Sequence, residues 1–380
     1  MKRYLSLIMC FVSFTSVAQN NLVLVTIDGL RWQDVFRGPQ IEIANDKTYT
    51  KTKTGLMKRL LTQPPKQARK TLMPFLWTDI AEQGVIIGNR DIGSNMSVAN
   101  QWNFSYPGYS EIFTGVTNPK LNSNKKINNP EVSFLEWLQN EKGYKHVAVF
   151  GSWDVFPYIF NVERSKLHVN AGFNNAFGYL LTNKAKYLNQ IQAQTPSPWT
   201  TVRLDTFTHN FALEYLKTNK PKVITISYGE TDDFAHDGRY DHYIEAAHRT
   251  DQFIAKLWAQ LQSMPEYKNK TNLLIVTDHG RGSNLNDWQH HASKKSLSGY
   301  MKGLQKDFPD GIVGSEHIWM AAIGPDIQNL GQMKTTHELK QSQIAATALS
   351  LLGESSVNFN KTAAKPILSI SKYQSSKSKQ

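Results

Sequence analysis

The sequence predicts an α/β fold: a mostly parallel central sheet with helices on both faces. Two observations lead there. Apolar runs rich in β-branched residues recur along the chain, and between them lie segments with helical spacing of apolar residues and few turn formers. Alternating strands and helices build a parallel sheet covered on both sides, so its strands read as unbroken apolar runs. A chain of 380 residues, 40% hydrophobic, can bury such a core.

LVLVTI, from Leu22, is the first strand, and TLMPFLWTDIAEQ, from Thr71, has the spacing of a helix. VII at Val85 and HVAVF from His146 are strands; LDTFTHNFALEYLKTN, from Leu204, is a helix. KVITIS from Lys222 and NLLIVT from Asn272 are strands on either side of the helix YIEAAHRTDQFIAKLWAQLQ, and IWMAAI from Ile318 is the last strand. One domain is expected over residues 19–370, with Lys47–Lys70 and Ser293–Gly311 as polar excursions and 371–380, containing SSKSK, as a disordered tail. No internal repeat is present.

Residues 1–18 read as a secretory signal: Lys2 and Arg3, the apolar run LSLIMCFVSF, then Ser16-Val17-Ala18 as a cleavage site. The expected location is therefore periplasmic or secreted. Cleavage after Ala18 removes Cys10, the single cysteine, so disulfides and thiolate ligands are excluded and any metal site must use Asp, Glu and His. The net charge of +12 suits anionic substrates or a membrane surface, but the lysines are scattered and no aromatic-plus-basic nucleic-acid motif occurs. The apolar run of the leader is too short to span a bilayer well. No pattern sets an oligomeric state.

Ligands of open α/β sheets bind beyond the carboxyl ends of the strands. Three strands end on aspartate there: LVLVTI runs into Asp28, KVITIS runs through YGET into Asp232, and NLLIVT runs into Asp278 and His279. His236 stands four places after Asp232, so one turn of helix or a tight loop directs both at one ion. A lone aspartate after a strand is ordinarily a turn former or helix cap. Three in this order, one followed by His-Gly, point to a metal centre. In WNFSYPGYSEIFTG, Pro107 places Ser105 at a helix start. An ordinary capping serine is one reading; the other is a nucleophile whose negative charge the helix N-terminus favours.

These features together resemble the alkaline phosphatase superfamily, and most closely its nucleotide pyrophosphatase/phosphodiesterase (type I phosphodiesterase) branch. The resemblance rests on VTIDGLR, SYPGYSEIFTG, GETDDFAH, TDHGRG and the strand leading into IGPD, in family order over nearly the whole mature chain. The nucleophile of that branch is usually threonine in T-F-P-N-x-Y-x-x-x-T-G; Ser105 holds the matching place, nine residues before Thr114. The resemblance implies an alkaline-phosphatase-like fold and two divalent ions, zinc or alternatively manganese. Asp28, Asp278 and His279 would hold the ion that contacts Ser105, and Asp232, His236 and a further histidine the other. That histidine is His291, with His317 and His290 as alternatives; Asp233 is secondary. Asn129 is expected on a phosphoryl oxygen, with Asn124 and Asn128 competing.

The implied activity is a phosphodiesterase-type phosphoric ester hydrolase working through phosphoserine on a small-molecule or lipid-headgroup ester. The alternatives are a phosphomonoesterase or phosphotransferase, a sulfatase, and a non-catalytic binding protein. The sulfatase signature needs arginine where Tyr109 stands. Arg31 and Arg281 flank the metal motifs, either balancing anionic charge or solvated. Trp102, Tyr106, Trp153 and Tyr158 are candidates for stacking on the substrate, and equally for the core.

Overall fold

The computed structural model describes residues 20–178 and 181–372, so the expected signal peptide and residues 373–380 lie outside the described residues. Eight strands form the main sheet: β1 (Asn21–Ile27), β2 (Val85–Ile87), β3 (Ala148–Gly151), β4 (His168–Ala171), β5 (Val223–Tyr228), β6 (Thr271–Thr277), β7 (Met320–Ile323) and β8 (Gly331–Gln332). Their order is β4-β3-β5-β1-β6-β7-β2-β8. β7 is antiparallel to both β6 and β2, and every other pairing is parallel. The mostly parallel α/β sheet expected from the sequence is therefore present.

β1 lies in the middle of the sheet, apolar but for Asn21 and Thr26, with side chains that alternate between the two faces. Val23, Val25 and Ile27 enter one core, with Phe207, Phe211 and Leu216 of α2 (Asp205–Asn219) and Tyr243, Ile254 and Leu257 of α4 (Tyr240–Ser263). Leu22 and Leu24 enter the other, with Tyr109 and Ile112 of α1 (Ser105–Thr114) and Ile344 and Leu349 of α5 (Gln343–Leu351). Each such side chain contributes about 1.5–3 kcal/mol on burial. Helices thus cover both faces, and β1 has no solvent contact except at its ends.

The register sets the ends level. Ile27 pairs with Tyr228 on one side and with Thr277 on the other. The next residues, Asp28, Gly229 and Asp278, therefore leave the sheet at one height. α3 (Glu230–His236) starts immediately after β5.

The helix expected over TLMPFLWTDIAEQ is broken. A helix over Pro65–Leu72 ends before Pro74, and a wider turn at Leu76–Ile80 follows, as expected where proline removes a donor and clashes with the preceding turn. The tail expected from 371 begins with tied residues, since Ser371 bridges Ile327 and the Lys372 N–H donates to the Asp326 carbonyl at 2.9 Å. Among the described residues no helix is long and apolar enough to cross a membrane.

α1 is buried along its whole length and lies against the end of β6. A Cβ at Gly108 would stand 2.4 Å from the Asp278 carbonyl oxygen, so only glycine permits this approach. Gly108→Ala is expected to force the helix off the strand and lower stability by about 1–3 kcal/mol; a wild-type midpoint in urea unfolding would refute it.

Candidate active site

At the first turn of α1, Ser105 is the first helical residue, not the cap, and Phe104 precedes it in extended conformation. Its hydroxyl does not bond to the helix amides as a capping serine would. Ser105 Oγ instead lies 3.3 Å from His279 Nε2 and 3.5 Å from Asp28 Oδ1. One turn further on, the Tyr109 hydroxyl donates to Asp28 Oδ2 at 3.0 Å.

The three strand ends deliver their side chains to this point. Gly29 adopts φ +57°, and a Cβ there would press on Asp232 and Arg281, which accounts for the glycine after Asp28. The Gly29 N–H donates to Asp278 Oδ1 at 3.0 Å. Asp278 Oδ2 stands 3.4 Å from His279 Nε2, and Asp28 Oδ1 3.3 Å from it. α3 turns Asp232 and His236 to the same side, with His236 Nε2 3.1 Å from Asp232 Oδ2. His291 completes the group, its Nε2 3.0 Å from His236 Nε2.

Two sets of three ligand atoms each come close enough to share an ion: Asp232, His236 and His291, and Asp28, Asp232 and His279. Asp232 belongs to both sets. Asp233 belongs to neither, and nor does Asp278, expected with Asp28 and His279, whose Oδ2 stands 3.4 Å from His279 Nε2.

The donor chemistry fits cations. His279 Nδ1 lies 2.9 Å from the Gly280 carbonyl and His291 Nδ1 3.0 Å from the Asn103 carbonyl. A carbonyl only accepts, so each Nδ1 carries a hydrogen and each Nε2 faces inward, where a cation would take the place of any proton it holds. Asp278 Oδ2 is buried and has no hydrogen-bond partner among the described residues. Burial and then Asp28 push the Asp278 carboxyl well above the usual carboxylate range. Burial opposes charge on His279, yet Asp278 and Asp28 outweigh it and raise it to about 9. Crowded carboxylates repel one another until positive charge enters.

Arg281 supplies part of that charge and is not solvated. Buried, it donates to the carbonyls of Gly29, Asp232 and Gln289 and pairs with Asp232 Oδ1. Arg31 is buried too but serves the core: it forks onto Asp34 at 2.7 and 3.0 Å, and Asp34 also accepts from Tyr240 and Tyr243. The solvated reading of both arginines is corrected.

His317 and His290 lie outside the cluster. His317 is at the same edge of the sheet because β7 runs backwards, but it bridges Ser97 and its Nε2 is 3.2 Å from Glu316. His290 packs on Phe308 and bonds Gln289.

The expectation for Asn129 needs correction. It is buried below α1, its Nδ2 donating to Ser110 Oγ at 3.0 Å and its Oδ1 accepting from the Glu131 N–H at 3.0 Å. Fully buried, it presents neither end to a substrate. Asn128 binds Glu163. Asn124 is the one beside Ser105: its Oδ1 accepts from the Tyr106 N–H at 3.0 Å, and its Nδ2 has no partner among the described residues.

Sequence reasoning missed Tyr109, although it stands one helical turn after Ser105. It also missed Asn103, whose backbone at φ 55° carries the carbonyl that orients His291. Tyr106 and Trp102 are buried, while Trp153 and Tyr158 are half-buried.

The fold is shared with alkaline phosphatase PafA (11% identity, TM-score 0.57, covering 93% of this chain and 99% of that one). It is also shared with Ps i-CgsB (15% identity, TM-score 0.53, 92% and 75%) and with a 2-O GAG sulfatase (14% identity, TM-score 0.52, 93% and 74%). At these identities the likeness speaks for the fold alone. No curated protein matches the chain. Residues 43–299, a span that carries Ser105, Asp232, His236, Asp278, His279 and His291, match the family described as Type I phosphodiesterase / nucleotide pyrophosphatase, and the chain belongs to that family of alkaline-phosphatase-like hydrolases.

Proposed function

We propose that the chain is an exported phosphoric ester hydrolase of phosphodiesterase type that uses two divalent ions, zinc or manganese, and a covalent phosphoseryl intermediate on Ser105. Cleavage behind Ala18 leaves a metalloenzyme domain over residues 19–370, followed by the tail. One observation carries the reading: the Ser105 hydroxyl opens a buried helix within 3.5 Å of both Asp28 and His279, where inward-facing imidazoles and carboxylates converge. Asp28, Asp278 and His279 would hold one ion, Asp232, His236 and His291 the other, with Asp232 near enough to reach both.

Ions held there would supply the charge that favours an ionised hydroxyl and a departing oxyanion. The chain's own residues do the positioning. Tyr109 fixes the carboxylate of Asp28 and the turn at Gly29 that of Asp278. Asn124, held by the Tyr106 N–H, offers its Nδ2 to a phosphoryl oxygen. Ser105 Oγ, having lost its proton, forms the bond to phosphorus as the bond to the leaving alcohol breaks. Water then cleaves the Oγ–phosphorus bond, returning serine and a monoester. The loop carrying Asn124 runs on into the wall of a cavity of about 470 Å³ lined by Lys126, Asp154, Tyr158 and Phe173. That wall would face the organic part of a small-molecule or headgroup ester.

Tyr109 on Asp28 argues against the sulfatase reading, which needs an arginine at that position to mature the nucleophile. Loss of the nucleophile or the ligands would have favoured a binding protein, and both are intact.

Purified protein supplied with zinc or manganese is expected to turn over bis-p-nitrophenyl phosphate faster than p-nitrophenyl phosphate. Preference for the monoester would move the activity to phosphomonoesterase. Ser105→Ala should lower turnover by at least about 10³-fold with metal content unchanged, and undiminished turnover would exclude the covalent route.

Asn124→Ala should reduce kcat about 10²-fold, whereas Asn129→Ala should leave kcat near wild type and cost about 1–3 kcal/mol of stability through the unpaired Ser110 and Glu131. The reverse pattern in steady-state kinetics and urea unfolding would contradict the assignment. Dialysis against a chelator should abolish turnover and lower the thermal midpoint, with recovery on adding zinc or manganese. An unchanged midpoint would mean that Asp28, Asp232 and Asp278 need no cation.

A further inference from the structure

Two helices near the site cap each other. α2 begins at Asp205 after Leu204, and α3 begins at Glu230 after Gly229; neither preceding residue supplies a side-chain cap. Asp205 Oδ1 accepts the Gly229 N–H at 2.8 Å and its Oδ2 the Glu230 N–H at 3.1 Å. In return, Glu230 Oε1 accepts the Asp205 N–H at 2.9 Å. The opening carboxylate of each helix thus satisfies amides at the start of the other.

The exchange is sealed from water. Asp205 and Glu230 are 1% and 3% exposed. The Ser152 hydroxyl adds a third donor to Asp205 at 2.6 Å, and Arg249 pairs with Glu230. Two buried carboxylates are a costly way to start two helices, since a serine or asparagine at position 204 or 229 would cap with no charge to bury. What the exchange adds is a fixed relation between a long helix and a short one. α3 has seven residues, too few to hold its own conformation or direction in isolation, and it carries Asp232 in its first turn and His236 at its end.

We infer that Asp205 is a positioning residue for the Asp232–His236–His291 set: it touches neither substrate nor ion but holds α3 so that Asp232 and His236 face His291. This rests on the two-ion reading above. Partners that orient metal ligands typically carry 10–100-fold in metal affinity.

The test compares the full-length mature protein with Asp205→Ala, Asp205→Asn and, as a control for general destabilisation, Leu216→Ala, a buried change further along α2. Metal content per chain and the zinc concentration giving half-maximal turnover are measured beside the urea midpoint. Asp205→Ala is expected to drop from two ions to one and to recover turnover at roughly 10–100-fold higher zinc. Asp205→Asn, which keeps one acceptor oxygen, should fall between Asp205→Ala and wild type. Leu216→Ala should lose stability while keeping both ions and wild-type zinc dependence.

Wild-type ion content and zinc dependence in Asp205→Ala would overturn the inference. Should that variant fail to fold, wild-type zinc dependence in Asp205→Asn overturns it equally. An equal loss of ions in Leu216→Ala would reduce the role to general stability and also overturn it. A wild-type protein that binds no metal refutes the two-ion reading itself, whereas normal metal binding in wild type and Asp205 variants alike refutes only this inference.

Discussion

The constraint on which this structure turns is electrostatic: negative side chains are brought out of water at one place. β1, β5 and β6 end at the same height, so Asp28, Asp278 and the helix bearing Asp232 are delivered together. Carboxylates gathered this way repel, and a low-dielectric setting magnifies the repulsion. The fold responds with positive charge and donors from several directions. Arg281 lies over Asp232, Tyr109 donates to Asp28, and the Gly29 amide donates to Asp278. The remaining deficit is what a divalent ion would fill.

Packing follows from the same convergence. α1 must come close enough for Ser105 to reach Asp28 and His279, which requires a bare backbone at Gly108 against Asp278. The approach is then locked from its far side. Glu111, buried on α1, accepts from the backbone N–H groups of Ala99, Asn100 and Ser342, joining the segment before the helix to the start of α5. Asn100 Oδ1 in turn takes the N–H groups of Trp102 and Asn103, setting the path by which the chain enters Ser105. Polar groups at such depth are tolerated because each has its partners.

Much of this was legible in the sequence, and the legible parts share a cause. A strand buried on both faces must be apolar for its whole length, so LVLVTI, KVITIS and NLLIVT announce themselves, and the polar residue that ends each run marks the edge of the sheet. Asp28, Asp278 and His279 are visible for that reason, and Asp232 with His236 through helical spacing. Other features depend on tertiary paths. An apolar run has no direction, so IWMAAI gives no sign that β7 is reversed. HVNA and GQ, the edge strands β4 and β8, are too short and too polar to stand out. Three asparagines within six residues were indistinguishable because only the loop's course decides that Asn124 meets Tyr106 while Asn129 goes beneath the helix. Arg281 reads equally as charge-balancing or solvated because nothing local to TDHGRG reveals the carbonyls that surround it.

The two innermost imidazoles are steered by main-chain oxygens, those of Gly280 and Asn103. A peptide carbonyl survives any exchange of side chain that leaves the backbone path intact, so such substitutions leave those rings facing as they do; Gly280 itself is the exception, because a Cβ there would stand 2.3 Å from the His317 carbonyl oxygen. Drift in the centre's charge and strength is thereby channelled into Asp28 and Asp232, whose supports, Tyr109 and Arg281, are side chains and can change one at a time.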